Sequence, residues 1–259
     1  MQPVLVPYHL DEYLPDLDVP LEPSHTVTRV LRGADVWERI APLYDAVANL
    51  VAAAVAGEQL SVVMSGDCTT SLGIASGLQR AGVVPSVVWF DGHGDLQTLE
   101  TTTSGYVGGF PLRILVGYRP ELISDRLGLV PVPEHQVVLV DARDLDPPER
   151  KFLHTSPIRR LPVDELVPAQ LPDGPLYLHV DCDVVTPEDL PGLLFPATGG
   201  PAMSDVAAAI VRVMATGRVV AVGLACTWHP HRGAADRTRQ LVNALAGTES
   251  AGYEGAANE

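Results

Sequence analysis

The sequence predicts an α/β fold: a doubly wound, mostly parallel sheet flanked by helices on both faces. Two observations carry that prediction. Short continuous apolar runs alternate with longer helical patterns, as they do when strands are buried on both faces and joined by crossover helices. Acidic residues collect where the runs end, beyond the carboxyl ends of the strands, which is where such sheets bind ligands. In chain order, a helix is expected over residues 34–57, a buried strand over 59–64 (QLSVVM) and an Ala/Leu-rich helix over 69–81. Apolar strands follow at 87–90, 137–140, 176–180 and 219–226, with helices at 205–216 and 234–246. The prolines from Pro131 to Pro172 are read as connections. No repeat and no dividing linker is visible, so one domain is expected over residues 1–247. A Gly/Ala/Glu tail over 248–259 is expected to fray.

Composition narrows the function. The 259 residues include 17 Lys plus Arg and 32 Asp plus Glu, a formal charge of −15, with 46% hydrophobic and 19% charged residues. That is too apolar for a disordered acidic chain, and a chain of this size buries about three quarters of its unfolded surface. The negative balance argues against nucleic acid, whose phosphates are held by Lys and Arg, and against anionic membranes. No apolar run is expected to reach the roughly 20 residues of a spanning helix. The start, MQPVLVPYHLDEYLPDLD, lacks the basic-then-apolar pattern of a signal peptide. Three cysteines, Cys68, Cys182 and Cys226, are a poor basis for a disulfide framework. A reduced, cytoplasmic protein acting on a small molecule is the expectation.

The strand ends supply the chemistry. In VVWFDGHGD an apolar strand delivers Asp91, His93 and Asp95 at alternating positions, with Gly92 and Gly94 between them. Alternate residues of extended backbone point the same way, so three potential ligands converge. LYLHVDCD delivers Asp181 and Asp183 from a second strand. Carboxylates at such range cannot all stay ionised without cations. Four carboxylates and an imidazole suit Mn²⁺ best, with Zn²⁺ and Fe²⁺ as alternatives. Cys182 alternates to the opposite face and, like Cys226, is read as core; His179 falls on the Asp181 face and is either a ligand-orienting or a core histidine. Trp228 and Tyr106 either line a slot or pack beside it, Thr98 and residues 101–104 bring hydroxyls near the metals, and His25, His135 and His154 fall in apparent loops.

The ordered set SGDCTTSLG, WFDGHGDLQTLETTTSGYVGG, DARDLDPPE, HVDCDVVTPEDLPGLLFPATGG and ACTWHP resembles the ureohydrolases, the family of arginase, agmatinase and formiminoglutamase. The likeness runs from about Pro3 to residue 246. It implies an arginase-like three-layer sandwich, two Mn²⁺ bridged by a hydroxide, hydrolysis of guanidino groups, and trimers or hexamers. By position, Asp91 and Asp181 match the bridging carboxylates, His93 and Asp183 the remaining ligands of one metal, and Asp95 a ligand of the other that also holds the hydroxide.

Departures from the family pattern set the finer expectations. Cys68 stands where the first His ligand should be; it either ligates as a thiolate, favouring a softer metal, or sits by as a small apolar residue. If it does not ligate, a single-metal amide hydrolase of the deacetylase kind, holding Mn²⁺ or Zn²⁺, becomes an alternative, as does a catalytically weak metal-binding relative. Thr186 replaces the third Asp of the second motif, and Gly108 falls where arginases carry a proton-shuttling His, leaving His229 or His231 as a candidate acid. The segment Arg143, Asp144, Asp146, Pro147 and Glu149 matches the one that reads the amino end of the substrate; Ser104 matches a carboxylate-binding residue, with Gln97 and Tyr106 at nearby Asn positions. Thr227 replaces the Glu that pairs with the guanidinium, and Phe195 replaces a threonine of the Gly-Gly turn. Losing that buried carboxylate penalises a cationic substrate. The expected reacting group is therefore less basic than that of L-arginine, such as an N-hydroxyguanidine.

Overall fold

The computed structural model describes residues 1–246; the tail expected over 248–259 lies outside them. Strands β1 (Gln2–Val6), β4 (His25–Thr26), β5 (Ser61–Ser65), β6 (Ser86–His93), β7 (Val137–Asp144), β8 (Arg159–Leu161), β9 (Leu176–Asp181) and β10 (Val219–Ala225) form one sheet. Its order is β4-β1-β5-β10-β9-β6-β7-β8, and every pairing in it is parallel. A two-stranded antiparallel piece, β2 (Tyr8–His9) with β3 (Glu12–Tyr13), follows β1.

Strand side chains alternate between two cores, which is why the runs lack polar positions. Val62 and Met64 of β5, Val88 and Phe90 of β6, and Leu176 and Leu178 of β9 face the core capped by α6 (Met203–Met214) and α7 (Ala234–Leu245). Val63, Val87, Trp89 and Tyr177 face the opposite core, covered by α1 (Val36–Ala56) and α2 (Ser71–Arg80). Short helices α3 (Pro111–Leu115) and α4 (Ser124–Leu127) extend that second layer, and α5 (Pro147–Thr155) packs Phe152 against it. A doubly wound three-layer sandwich is the result.

Helix α1 begins where Asp35 accepts the amide of Glu38 at 2.9 Å. Ile40, Leu43, Tyr44, Val47 and Val51 recur at helical spacing and are fully buried; burying each such side chain contributes about 1.5–3 kcal/mol. By length and composition this 21-residue helix is apolar enough to cross a membrane, which the sequence reading did not anticipate. It packs instead as a core helix against α2. The Pro-rich segment at 147–148 is a further correction: the prolines open α5 rather than interrupt a connection, because a first-turn proline gives up no intrahelical hydrogen bond.

Topology places the site. After β5 the chain crosses to β6 and builds outward through β7 and β8, then returns to insert β9 and β10 between β6 and β5. The two ligand-bearing strands, β6 and β9, thereby become hydrogen-bonded neighbours. The carboxyl ends of β5 and β10 lie next to them.

Candidate functional site

Each acidic strand end is shaped by its own backbone. Asp91 closes the regular part of β6: its Oδ1 accepts the His93 amide at 2.6 Å and its Oδ2 accepts the Trp89 indole N–H at 3.0 Å. The register against β7 shifts between Asp91 and His93, and Asp95 has φ +54°, so the chain curls over the sheet edge. Glycine is required there. A Cβ at Gly92 would lie 2.9 Å from the Asp183 carbonyl oxygen, and one at Gly94 would lie 2.7 Å from Glu149 Oε1. On β9, Asp181 Oδ1 accepts the Asp183 amide at 3.0 Å, while Asp183 Oδ1 accepts the Gly92 amide at 3.0 Å. The two loops are thus tied to each other through carboxylates that retain free lone pairs.

Among the described residues, two groups of possible ligand atoms result. Asp91, His93 and Asp183 form one, and Cys68, Asp91 and Asp181 the other; within each, the ligand atoms lie within 4.8 Å of one another. Asp91 belongs to both. Asp95 belongs to neither group, yet it is buried and its Oδ2 has no hydrogen-bond partner. Such an orphaned carboxylate oxygen among acids is what a cation would satisfy.

The electrostatics point the same way. Burial pushes the Asp95 carboxyl well above the usual range, helped by Asp91 and Asp181; Asp181 is likewise raised by burial, then by Asp183 and Asp91. Burial and Asp91 push Asp183 up to about 6. His93 is the local exception. Burial opposes its charge, but hydrogen bonds to Asp183, at 3.0 Å from Nδ1, and to Asp91 push it up to about 12. Asp91 is lowered despite its burial, because His93 bonds to it. In the metal-free chain, protons and His93 hold charge that a divalent cation would neutralise, so the donor set fits such ions.

Cys68 opens a short 3-10 turn after β5. Its Sγ donates to Asp181 Oδ2 at 2.9 Å and lies 3.2 Å from His179 Nε2. Burial raises the thiol, followed by Asp181, Asp95 and Asp91. His179 is buried, stacked on Trp89 at 3.7 Å and bonded through Nδ1 to the Tyr177 hydroxyl at 3.0 Å. Burial lowers its pKa to about 3, so it stays neutral beside Cys68. His179 is thus a buried histidine with both ring nitrogens engaged, one of them against Cys68.

The groups open into a cavity of about 240 Å³ lined by Cys68, His93, Asp95, Asp181 and Asp183. Gln97, Ser104, Asp144, Asp146, Glu149 and Thr227 also line it, as do Tyr106 and Phe195. Glu149 accepts the amides of Leu96 and Asp146, both at 2.9 Å, fastening the β6 loop to the start of α5. Gln97 donates from Nε2 to Asp146 Oδ2. The Thr227 hydroxyl lies 3.4 Å from both oxygens of Asp181, so it steadies that carboxylate. Arg143 turns away from the cavity: its guanidinium holds the Asp183, Val184 and Ala197 carbonyls and pairs with Asp141.

Other expectations are corrected or resolved. His229 is exposed and does not line the cavity; its amide donates to the Gly192 carbonyl at 2.8 Å. His231 is exposed as well, at φ +61°. Neither histidine lines the cavity with the acids. Trp228 packs, donating its indole N–H to the Asp18 carbonyl at 3.1 Å. Cys182 and Cys226 are core, and His25, His135 and His154 are exposed, although His25 lies on β4 and His154 in α5. One residue was missed: His9, whose Nε2 meets the Tyr106 hydroxyl at 2.9 Å. It lies 97 positions before Tyr106, and no spacing motif could have joined them.

The class defined here is a parallel α/β sheet whose neighbouring strand ends, D-x-H-x-D and D-x-D, bring possible metal ligands together beside a cleft. The family model described as the arginase family matches residues 13–248, and the chain belongs to that family. Curated relatives include the arginase of Bacillus subtilis, 32% identical over 157 residues, 55% of this chain and 53% of that protein. The N(omega)-hydroxy-L-arginine amidinohydrolase of Streptomyces lavendulae is 33% identical over 150 residues, 56% of this chain and 53% of that protein. The matched segments thus span about half the length of these relatives. The crystal structure of arginase from Bacillus subtilis shares the fold with a TM-score of 0.82 at 22% identity, covering 96% of this chain and 100% of that one.

Proposed function

We propose that this chain is a metal-dependent C–N hydrolase of the ureohydrolase type, acting on the amidine or guanidino carbon of a small amino-acid-like molecule. Family membership and the acid-lined cavity support the class. Asp91, His93 and Asp183 would hold one ion, for which their oxygen and nitrogen donors suit Mn²⁺. Cys68, Asp91 and Asp181, with Asp95 nearby, would hold a second, where a thiolate also admits Zn²⁺. When bound, the ions would supply an activated water and electrostatic stabilisation of the developing charge. The chain's own residues do the rest. Asp144, Asp146 and Ser104 present polar groups at the mouth for the amino-acid end, and Glu149 and Gln97 hold that rim in place.

The observation that carries the substrate reading is Thr227. At the end of β10 the cavity wall offers a hydroxyl, already engaged with Asp181, and beside it the Phe195 ring. Neither neutralises a guanidinium. A less basic group such as the N-hydroxyguanidine of N-hydroxy-L-arginine is favoured, and the Streptomyces lavendulae relative supports that choice by name. With Mn²⁺ present, a colorimetric screen should show kcat/KM for N-hydroxy-L-arginine at least about tenfold above that for L-arginine, since a buried unpaired cation costs more than 1.4 kcal/mol. L-arginine as the best substrate of the panel sinks the substrate reading.

Metal content tests the alternatives. The protonated Cys68 thiol donating to Asp181 supports a single-metal amide hydrolase as the second reading; one Zn²⁺ per chain favours it, two Mn²⁺ favour the first reading, and no metal after purification with Mn²⁺ favours a catalytically weak relative. Metal without turnover would leave a binding relative. Three free buried thiols support a cytoplasmic setting, and family resemblance supports a homo-oligomer, a trimer or hexamer, which light scattering would measure.

A further inference from the structure

We propose that Tyr106 is the catalytic residue that hands a proton to the departing nitrogen, and that His9 is the positioning residue that orients and recharges it. The inference rests on the hydrolase reading above, in which the leaving amine needs a proton donor. The cavity wall narrows the choice. His93 is held by Asp183 and Asp91, His229 lies off the cavity, and Asp95, Asp181 and Asp183 are candidate ligands. Tyr106 lines the same cavity, with its hydroxyl 2.9 Å from His9 Nε2. The two rings stack with centroids 5.8 Å apart at 13°, and Phe195 packs against both, at 5.1 Å from Tyr106 and 6.0 Å from His9.

Position 108 shows that the phenol occupies space made for it. A Cβ on Gly108 would fall 2.2 Å from the Tyr106 hydroxyl, so any side chain there would displace the ring.

The tautomer of His9 makes the pair directional. Its Nδ1 lies 2.8 Å from the Gly66 carbonyl, which can only accept, so Nδ1 carries a proton in either charge state. When the ring is neutral, Nε2 accepts from the phenol and the hydroxyl points away from the cavity. When the ring is charged, Nε2–H donates to the phenol oxygen, and the phenol O–H is freed to donate into the cavity. Burial, then Asp67, Cys68, Asp95 and Asp181, hold the phenol pKa above its ordinary value. Phenolate is therefore not a resting state, and proton loss must be matched by proton gain. His9 itself is faced by Tyr106, Phe195 and the Gly66 carbonyl, with Asp67 close by through the Leu10 amide.

The step balances as follows. The C–N bond breaks and its electron pair stays on nitrogen. The phenol O–H proton moves to that nitrogen while the Nε2 proton moves to the phenol oxygen, leaving neutral imidazole protonated on Nδ1. After the product leaves, water entering the cavity returns a proton along the same two hydrogen bonds.

The test compares Tyr106→Phe and His9→Gln with the wild type in the metal-loaded full chain, on an amidine with an alkylamine leaving group and on the matching O-(4-nitrophenyl) isourea. Tyr106→Phe should lower kcat about 100-fold for the alkylamine with KM within about threefold, and less than about fivefold for 4-nitrophenoxide, which departs as an anion without a proton. His9→Gln should lower kcat by roughly tenfold for the alkylamine and less than about threefold for 4-nitrophenoxide, the same leaving-group dependence as Tyr106→Phe. Nitrogen-15 shifts of the wild-type imidazoles should show His9 protonated on Nδ1, a readout that needs neither variant nor turnover. Equal losses for both leaving groups, or a His9 protonated on Nε2 alone, overturn the relay while leaving the hydrolase reading intact. A wild type inert on every amidine and amide overturns the hydrolase reading and the relay with it.

Discussion

The two ligand groups share Asp91 and otherwise differ in kind. The group with His93 and Asp183 is built from hard oxygen and nitrogen donors, and its imidazole is already ion-paired at 3.0 Å. The group with Cys68 and Asp181 centres on a buried thiol that donates its proton to the very carboxylate it would join as a ligand. Without metal, the first pair stores charge as an ion pair and the second stores it as a proton. A cation entering the first group must displace the proton on His93, whereas one entering the second must drive off a thiol proton that burial and three aspartates hold tightly. Proximity of donors is therefore not equivalence of sites. The protonation each group must give up would set which metal it takes and how firmly.

The shared residue gives the largest expected effect. Asp91→Asn should empty both groups and lower turnover by on the order of 10³-fold, since the activated water depends on bound metal. Elemental analysis should find less than one ion per chain. Retention of one full equivalent would show that the groups are independent and break the comparison at its centre.

Cys68→His sharpens it from the other side. An imidazole needs no thiol ionisation and suits Mn²⁺ better, so Mn²⁺ affinity at the second group should rise by about tenfold while the first is unchanged. Calorimetric titration with Mn²⁺ reads the two steps separately. If both affinities move together, the thiol is not what distinguishes the groups.

The smallest effect is in pH. In the metal-free chain the Asp183 carboxyl is raised to about 6, with Asp95 and Asp181 also raised. A raised carboxyl contributes stability below its unfolded pKa, near 4, and loses that contribution as pH rises through the folded value. Metal binding needs these groups ionised and His93 deprotonated, so it strengthens over the same interval. The Tm gap between Mn²⁺-loaded and metal-free protein should widen from pH 5 to 7.5, by about 2–4 °C for each kcal/mol gained. A constant gap would mean that these carboxyls do not titrate with folding.

Much of this architecture was legible in the chain. Runs such as Val87–Phe90 and Leu176–Val180 have no polar face, which only burial on both sides allows. The edge pieces were not legible: β1 is half-buried along its length and β8 has three residues, too little apolar pattern to stand out. Helix α5 was hidden because its opening Pro147 and Pro148 look like a connection until Glu149 is seen accepting the Leu96 and Asp146 amides.

By itself the sequence determined which side chains stand at each strand end, because alternation and glycine spacing are local properties of the backbone. It also raised the expectation that Cys68 and Thr227 depart from the family pattern, since a residue type is visible without coordinates. The tertiary structure decided the rest. Insertion of β9 and β10 beside β6 brings Cys68, Asp91 and Asp181 within reach across a separation of 113 residues. His229 is left out of the cavity, and His9 of β2 is set against Tyr106. Such contacts depend on strand order, which no local periodicity encodes.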